Sequence, residues 1–536
     1  MTLATQPVLF VDCQTTGANP TAGDLLEISW FIAGANEEIC SYLVKQPGQK
    51  AVPFRIKAIT GISDDEMKEA IDMDEVRRLF QLSLNELPNP ATCVAHFARF
   101  EHPFLRTLLC SADSDTSLPF DLLCTYEIAR RLFPNLPSKG IRAVAGYFGT
   151  TCGEMKRARC HVEATRSIWE GLLQPLTEAG IKDVAQLQSW LLSEAAPKRT
   201  KFEYPLPKEK RLCLPDQPGV YRMISKSGAI LYVGKATSLK SRVNSYFRGQ
   251  KGKDSKTKEL LSQVWDLDVT PCSTPLQAAL LEADEIKKWD PPYNRVLKRR
   301  QRELVFYSPD FSQATTRQDD EHPVGPFPSA QVVQPILKLM ESLATRSFTS
   351  DIFYYDVPKS LLYDGFELFC INEGVEPADL ASPRSLLALG LWFYRRRKIE
   401  KKRLALLEEA KADEDEDEVL AKESTQEPDE PDDLYALTAQ EVALKYERLL
   451  RHIARVYVRS KSLTGLLHAQ LEYSHKGVLH SLRVENGSII DAEPRQTREQ
   501  SRSAPWRGLD VSTYDRMSVL LTELSRVGAQ TALPTG

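Results

Sequence analysis

The feature that most limits how this chain can fold is an acidic run, Glu408 to Asp433, which contains Pro428 and Pro431 and few apolar side chains. Such a stretch buries too little surface to offset the entropy of ordering it and is expected to be disordered, so folded structure belongs on either side of it. A chain of 536 residues also exceeds one ordinary core. The expected layout is a domain over 1–178, a linker over 179–207, a compact basic domain over 208–300, a mostly helical region over 301–407, the acidic linker over 408–433 and an α+β region over 434–536. The class is α/β and α+β multidomain.

Residues 1–178 alternate strand and helix patterns. Leu9–Val11 and Leu25–Ile32 read as strands, Val94–Leu109 as a strand feeding a helix, and His161–Leu173 as a helix. Ala196–Pro207 reads as a connector. Beyond 300, Ser329–Leu343 and Ser385–Leu407 read as helices, the first with a break at Pro335. Ala439–Val458 reads as a helix, Leu479–Ile490 as a hairpin turning on Asn486-Gly487, and Tyr514–Arg526 as a last helix.

Charge is unevenly distributed. Lys210–Arg302 holds 19 Lys/Arg against 9 Asp/Glu, a local +10 in a chain whose total is −4. That fits either a polyanion site or a lysine-rich solvated surface. The basic run Arg395–Arg403 reads equally as a phosphate contact, a solvated helix face or a partner for the acidic stretch. The 10 cysteines form no CxxC pair, which suits reduced thiols. With no signal-like start and no apolar run approaching the ~18 residues of a span, the expectation is a cytoplasmic protein without membrane contact.

The chemistry concentrates in the basic domain. Pro218-Gly219-Val220-Tyr221 and Leu231-Tyr232-Val233-Gly234-Lys235 read as two short strands joined at Ser227-Gly228. A helix follows, capped by Thr237 or Ser238, with Leu239, Val243, Tyr246 and Phe247 on one face and Arg242 at its edge. A later helix opens with Thr274-Pro275-Leu276-Gln277 and carries Glu282 at its margin, and Pro291-Pro292-Tyr293-Asn294 ends it.

These motifs resemble the GIY-YIG nuclease signature, and YVGKATSLKSRVNSYF with ALLEADEIKKWDPPYN resembles the N-terminal incision domain of UvrC and its shorter relative Cho. The resemblance implies a small antiparallel sheet with flanking helices that cuts DNA. It places Glu282 at the family's Mg²⁺ position (Mn²⁺ being the other candidate) and Arg242 at the arginine that contacts the scissile phosphate. Tyr221 and Tyr232 fall on the two signature tyrosines, one of them proposed as base, Lys235 beside them, and Asn294 on the polar residue at the domain end. A free phenol titrates near ~10, so a base role requires positive charge close by.

Phe10-Val11-Asp12-Cys13-Gln14-Thr15-Thr16-Gly17 resembles the first motif of DnaQ-like DEDDh exonucleases, and Ala58–Ile62, Val94–Glu101 and Lys156–Thr165 resemble later landmarks. This implies an RNase H-like exonuclease fold. The charges differ from the family's. Asp12 remains, Gln14 stands for a glutamate, Glu101 for an aspartate, His161 for the last aspartate and Lys156 for the histidine. Asp12 and Glu101 are then a vestigial metal site too weakly charged for two ions, and the domain is expected to bind rather than cut.

The combined expectation is a Mg²⁺-dependent, structure- or damage-specific DNA endonuclease making a single incision, in nucleotide excision repair, with DNA and a UvrB-like protein as partners. The alternatives are a non-catalytic DNA-binding scaffold and a 3′–5′ DNA exonuclease.

Overall fold

The computed structural model describes residues 2–34, 38–49, 52–110, 117–151, 153, 155–193, 197, 201–248, 254–294, 303–348, 352–353, 357–412, 438–492, 510–527 and 530–531. The chain divides into two compact units, Met1–Lys298 and Arg299–Gly536.

The first unit begins with strands β1 (Leu9–Thr15), β2 (Leu25–Ile32) and β3 (Cys40–Leu43). Helices α1 (Phe54–Thr60) and α2 (Met73–Asn85), strand β4 (Ala91–Ala95), helix α3 (Ala98–Leu109) and strand β5 (Phe120–Cys124) follow. Helices α4 (Thr125–Leu132), α5 (Ile141–Phe148), α6 (Ala158–Glu178) and α7 (Val184–Ser193) complete the lobe. The strands form one mixed sheet in the order β3-β2-β1-β4-β5, with β1 antiparallel to β2 and parallel to β4. Alternation along β1 explains why both faces are covered. Phe10 joins Val162, Ile168 and Leu172 of α6 on one side, while Leu9 and Val11 join Val76, Phe80, Leu105 and Leu108 on the other. This is the α/β layered fold expected from the sequence, one mixed sheet with helices on both faces.

The second lobe opens with helix α8 (Lys208–Leu212), strands β6 (Gly219–Ile224) and β7 (Ile230–Ala236), and helix α9 (Leu239–Ser245). Helix α10 (Ser255–Leu261), strand β8 (Asp266–Pro271) and helix α11 (Pro275–Trp289) finish it. The antiparallel sheet runs β7-β6-β8. Tyr221, Met223 and Leu231 pack with Leu239, Val243 and Leu260 on one face, and Val220 and Val233 with Ala278 and Ile286 of α11 on the other.

The expected 179–207 linker needs correction. Val184 and Leu187 of α7 are buried in the first lobe's core, and Leu206 is buried in the second's. Prolines and lysines dominate the local sequence pattern there and mask the apolar residues between them. The two lobes also touch. Ser138 N–H donates to Ser262 Oγ at 2.9 Å, Arg142 pairs with Glu259 at 3.2 Å, and Tyr147 lies 5.6 Å from Trp265 between ring centres.

In the second unit, strands β9 (Val305–Tyr307), β10 (Ala314–Thr315) and β11 (Val324–Phe327) form a small sheet before helices α12 (Gln334–Thr345), α13 (Lys359–Glu373), α14 (Pro383–Ala412) and α15 (Ala439–Leu466). The mostly helical reading of 301–407 therefore missed a sheet made of very short strands. Pro335 sits in the first turn of α12 and starts it instead of breaking it. Glu408–Ala412 continue α14 rather than opening the acidic linker, and 413–433 lie outside the described residues. Strands β12 (Gln470–His475), β13 (Val478–Glu485) and β14 (Ser488–Ala492), helix α16 (Val511–Val527) and strand β15 (Gln530–Thr531) complete the unit. The β13–β14 turn has Asn486 and Gly487 both at positive φ, 49° and 75°, as a type I′ turn requires. Among the described residues, no helix is long and apolar enough to cross a membrane.

Candidate active site

The β6–β7 hairpin aligns the two signature strands so that Tyr221 lies opposite Gly234 and Met223 opposite Tyr232. Gly234 is where a missing side chain matters. A Cβ there would lie 2.4 Å from the Tyr221 hydroxyl and 2.8 Å from the Tyr232 ring. The space it leaves lets the two phenols approach, with ring centres 6.1 Å apart.

Helix α9 supplies the next pieces. Ser238, not Thr237, is its cap, accepting the Ser241 N–H at 3.1 Å. One helical turn on, the Arg242 guanidinium is exposed at the helix edge, 5.3 Å from the centre of the Tyr246 ring. Tyr246 shares a 3.0 Å hydrogen bond with the buried Tyr221 hydroxyl. Periodicity places Tyr246 on an apolar face only. Its apolar body does pack, but its hydroxyl makes the site a cluster of three phenols.

From the opposite side, α11 is capped by Thr274, which accepts the Gln277 N–H. It is pinned to β6 by the Arg222–Glu285 ion pair, in which Nε donates to Oε2 at 2.7 Å. Both side chains are nearly buried, at 13% and 10% exposure, so the fork fixes the helix rotation. One turn earlier on α11, Glu282 Oε1 accepts the Lys235 backbone N–H at 3.0 Å, joining the helix to the end of β7. Sequence reasoning missed Arg222 and Glu285. The signal was an arginine inside an apolar strand with an acid three residues after Glu282.

Asn294 is buried and uses both ends of its amide on one residue. Its Oδ1 accepts the Val233 N–H at 3.0 Å and its Nδ2 donates to the Val233 carbonyl at 2.8 Å. It acts as a strand substitute that holds the segment after α11 against β7.

Tyr232 connects the charged groups. Burial pushes its phenol well above the usual range, with help from Tyr246, and the Glu282 carboxylate adds to that while Arg242 opposes it. Both charges therefore act on the same hydroxyl, one from α9 and one from α11. Tyr221 is likewise driven up by burial and by its phenol neighbours. The domain thus carries a carboxylate on α11, a guanidinium on α9 and a cluster of phenols. Glu282 can offer a cation a carboxylate ligand there, which suits an ion that bonds few protein groups and keeps water or phosphate oxygens.

The exonuclease-type site has a different character. Asp12 receives Gln14 Nε2 at 3.0 Å on one oxygen and His161 Nδ1 at 3.1 Å on the other. His161 also donates Nε2 to the Met155 carbonyl at 3.1 Å. Burial pulls the His161 imidazole down, but Asp12 more than offsets this and lifts it to about 9, so both ring nitrogens are donors at neutral pH. Glu101 is buried, and burial together with Asp12 raises its carboxyl well above the ordinary range. The His161 imidazole therefore sits against Asp12 beside a buried carboxyl that resists ionisation.

A small sheet carrying paired tyrosines, with an arginine helix on one face and a glutamate helix on the other, defines a GIY-YIG nuclease domain. The UvrC-like GIY-YIG domain family matches residues 217–295. A protein of Mycobacterium tuberculosis described as a bifunctional exonuclease/endonuclease is 29% identical over 303 residues, 55% of this chain and 45% of its own length. The UvrABC system protein C of Chromohalobacter salexigens is 37% identical over 157 residues, 28% of this chain and 26% of its own. The chain thus spans less than half the length of these relatives. The magnesium-bound N-terminal endonuclease domain of UvrC from Thermotoga maritima is 33% identical, covering 16% of this chain and 94% of that one, with a TM-score of 0.15.

Proposed function

We propose that this chain is a Mg²⁺-dependent DNA endonuclease that makes a single incision in damaged or structured DNA, in the manner of UvrC and Cho, and serves nucleotide excision repair. The observation that carries this reading is that Glu282 is anchored on the Lys235 amide at the end of β7 while Arg242 lies 5.3 Å from Tyr246 in the phenol cluster. A binding module has use for the arginine but none for the acid.

In this reading each side chain has its own part. Arg242, exposed and planar with five donors, takes the non-bridging oxygens of the scissile phosphate and stabilises the charge that builds on them. Glu282 would hold a divalent ion, Mg²⁺ or Mn²⁺, which would supply Lewis-acid stabilisation of the phosphate and a more acidic bound water. Tyr232 keeps its proton on Oη at rest and releases it only as positive charge gathers beside it. Tyr221 is held by Tyr246 and orients the phenol cluster. Lys235 fixes Glu282 through its backbone amide, and Asn294 keeps β7 in place.

The exonuclease-type domain, in this reading, binds DNA or a partner and does not cut, because Asp12 is committed to His161 and Gln14. A UvrB-like protein is the loading partner suggested by the UvrC relatives.

The test is incubation with lesion-bearing, nicked and flapped duplexes plus Mg²⁺. Native protein is expected to yield discrete internal products, and Arg242→Ala and Glu282→Ala each to lower the rate about 10²-fold or more. Binding without internal cleavage by the native protein would sink the proposal and favour a scaffold.

A further inference from the structure

A second strongly charged feature lies in the unit Arg299–Gly536, far along the chain from the nuclease motifs. Helices α14 and α15 cross very closely at Gly390, where a Cβ would lie 2.4 Å from the Leu450 carbonyl oxygen and 3.2 Å from the Ala454 Cβ. Beside this crossing the helices border a cavity of about 510 Å³. Arg397, Lys398 and Lys401 line it from α14, and Arg448, Arg451 and Arg455 line it from α15. Tyr394 and His452 complete the wall, and among the described residues no acidic or aliphatic side chain lines it.

The spacings, i, i+1, i+4 on one helix and i, i+3, i+7 on the other, put each set on a single helical face. Among the described residues, two of the six cations have carboxylate partners. Arg397 meets Glu400 at 3.3 Å and Arg451 meets Glu447 at 2.7 Å. Arg455 donates to His452 Nδ1 at 3.0 Å, so this histidine presents a neutral ring to the wall. The cleft therefore concentrates positive charge that repels itself, which is costly unless an anion enters.

We propose that this cleft is a binding groove for single-stranded nucleic acid, separate from the incision site. A small anion would be saturated by two or three cations, whereas Arg448 to Arg455 rises about 10 Å along α15. That length spans more than one phosphate of a nucleic-acid strand. The aromatic face of Tyr394 among the cations supplies a stacking platform for a base, the combination that single strands use and duplexes do not. The inference does not depend on cleavage, since the site shares no residue with the nuclease domain.

The test uses the full chain carrying Glu282→Ala, titrated against a fluorescent single-stranded oligodeoxynucleotide over a range of salt concentrations. The triple variant Lys401→Ala/Arg448→Ala/Arg455→Ala is expected to bind at least about tenfold more weakly and to lower the salt slope by about two, since each phosphate no longer neutralised removes about 0.7. Tyr394→Ala is expected to weaken binding at least about fivefold with the slope unchanged. A charge-keeping Arg448→Lys/Arg455→Lys variant should retain most of the affinity. Unchanged affinity and slope in the triple variant would overturn the proposal. So would an equal loss in the lysine variant, or a cleft that takes a synthetic peptide of residues 408–433 and ignores the oligonucleotide.

Discussion

The fate of single protons separates the two nuclease-type centres. At Tyr232 burial keeps a phenol protonated, with the Arg242 charge opposing that shift. At His161 the sign is opposite, because Asp12 holds the imidazole charged up to about 9. A histidine in an unfolded chain titrates near ~6.5. The folded value lies above that, so the Asp12–His161 pair contributes stability that is fully present below about pH 6.5 and lost as pH rises through about 9. A gap of this size corresponds to roughly 3 kcal/mol. Urea denaturation at pH 6 and pH 9.5 is therefore expected to show a larger loss of stability for native protein than for His161→Gln. Equal losses would mean the imidazole is not charged in the fold.

At the scale of elements, the segment that follows α11 is braced from outside the domain. Arg142 of α5 pairs with Glu259 of α10 and lies 4.8 Å from the centre of the Tyr293 ring. The Tyr293 hydroxyl donates to Glu259 at 2.6 Å, and its backbone N–H reaches the Leu231 carbonyl on β7 at 3.1 Å. The exonuclease-type lobe thus grips the residue next to Asn294. Arg142→Ala is expected to cost about 1–2 kcal/mol, since the pair is mostly shielded from water. It should also lower the incision rate more than it lowers DNA affinity. Single-turnover cleavage measured beside equilibrium binding separates the two, and a fall in affinity alone would argue against the brace.

At the scale of the whole molecule, one chain joins a nuclease lobe to an exonuclease-type lobe whose Asp12 is engaged by His161 and Gln14. Full-length Glu282→Ala is expected to leave the 3′ ends of single- and double-stranded DNA intact with Mg²⁺ or Mn²⁺. Release of mononucleotides on a denaturing gel would restore an exonuclease role. Local chemistry was readable from the chain alone wherever neighbours in sequence are neighbours in space. The tyrosine hairpin, the helix caps, the Asn486-Gly487 turn and the substitutions at Gln14 and His161 all belong to this kind. Fold class followed from apolar periodicity for the same reason, because the period states which face is buried. Tertiary packing alone decided the rest. It put the Tyr246 hydroxyl on Tyr221, set Glu282 by way of Arg222 and Glu285, turned Asn294 into a strand mimic and drew two distant basic helices into one cleft. Those contacts join residues tens of positions apart, and no periodicity along the chain records a distance across it.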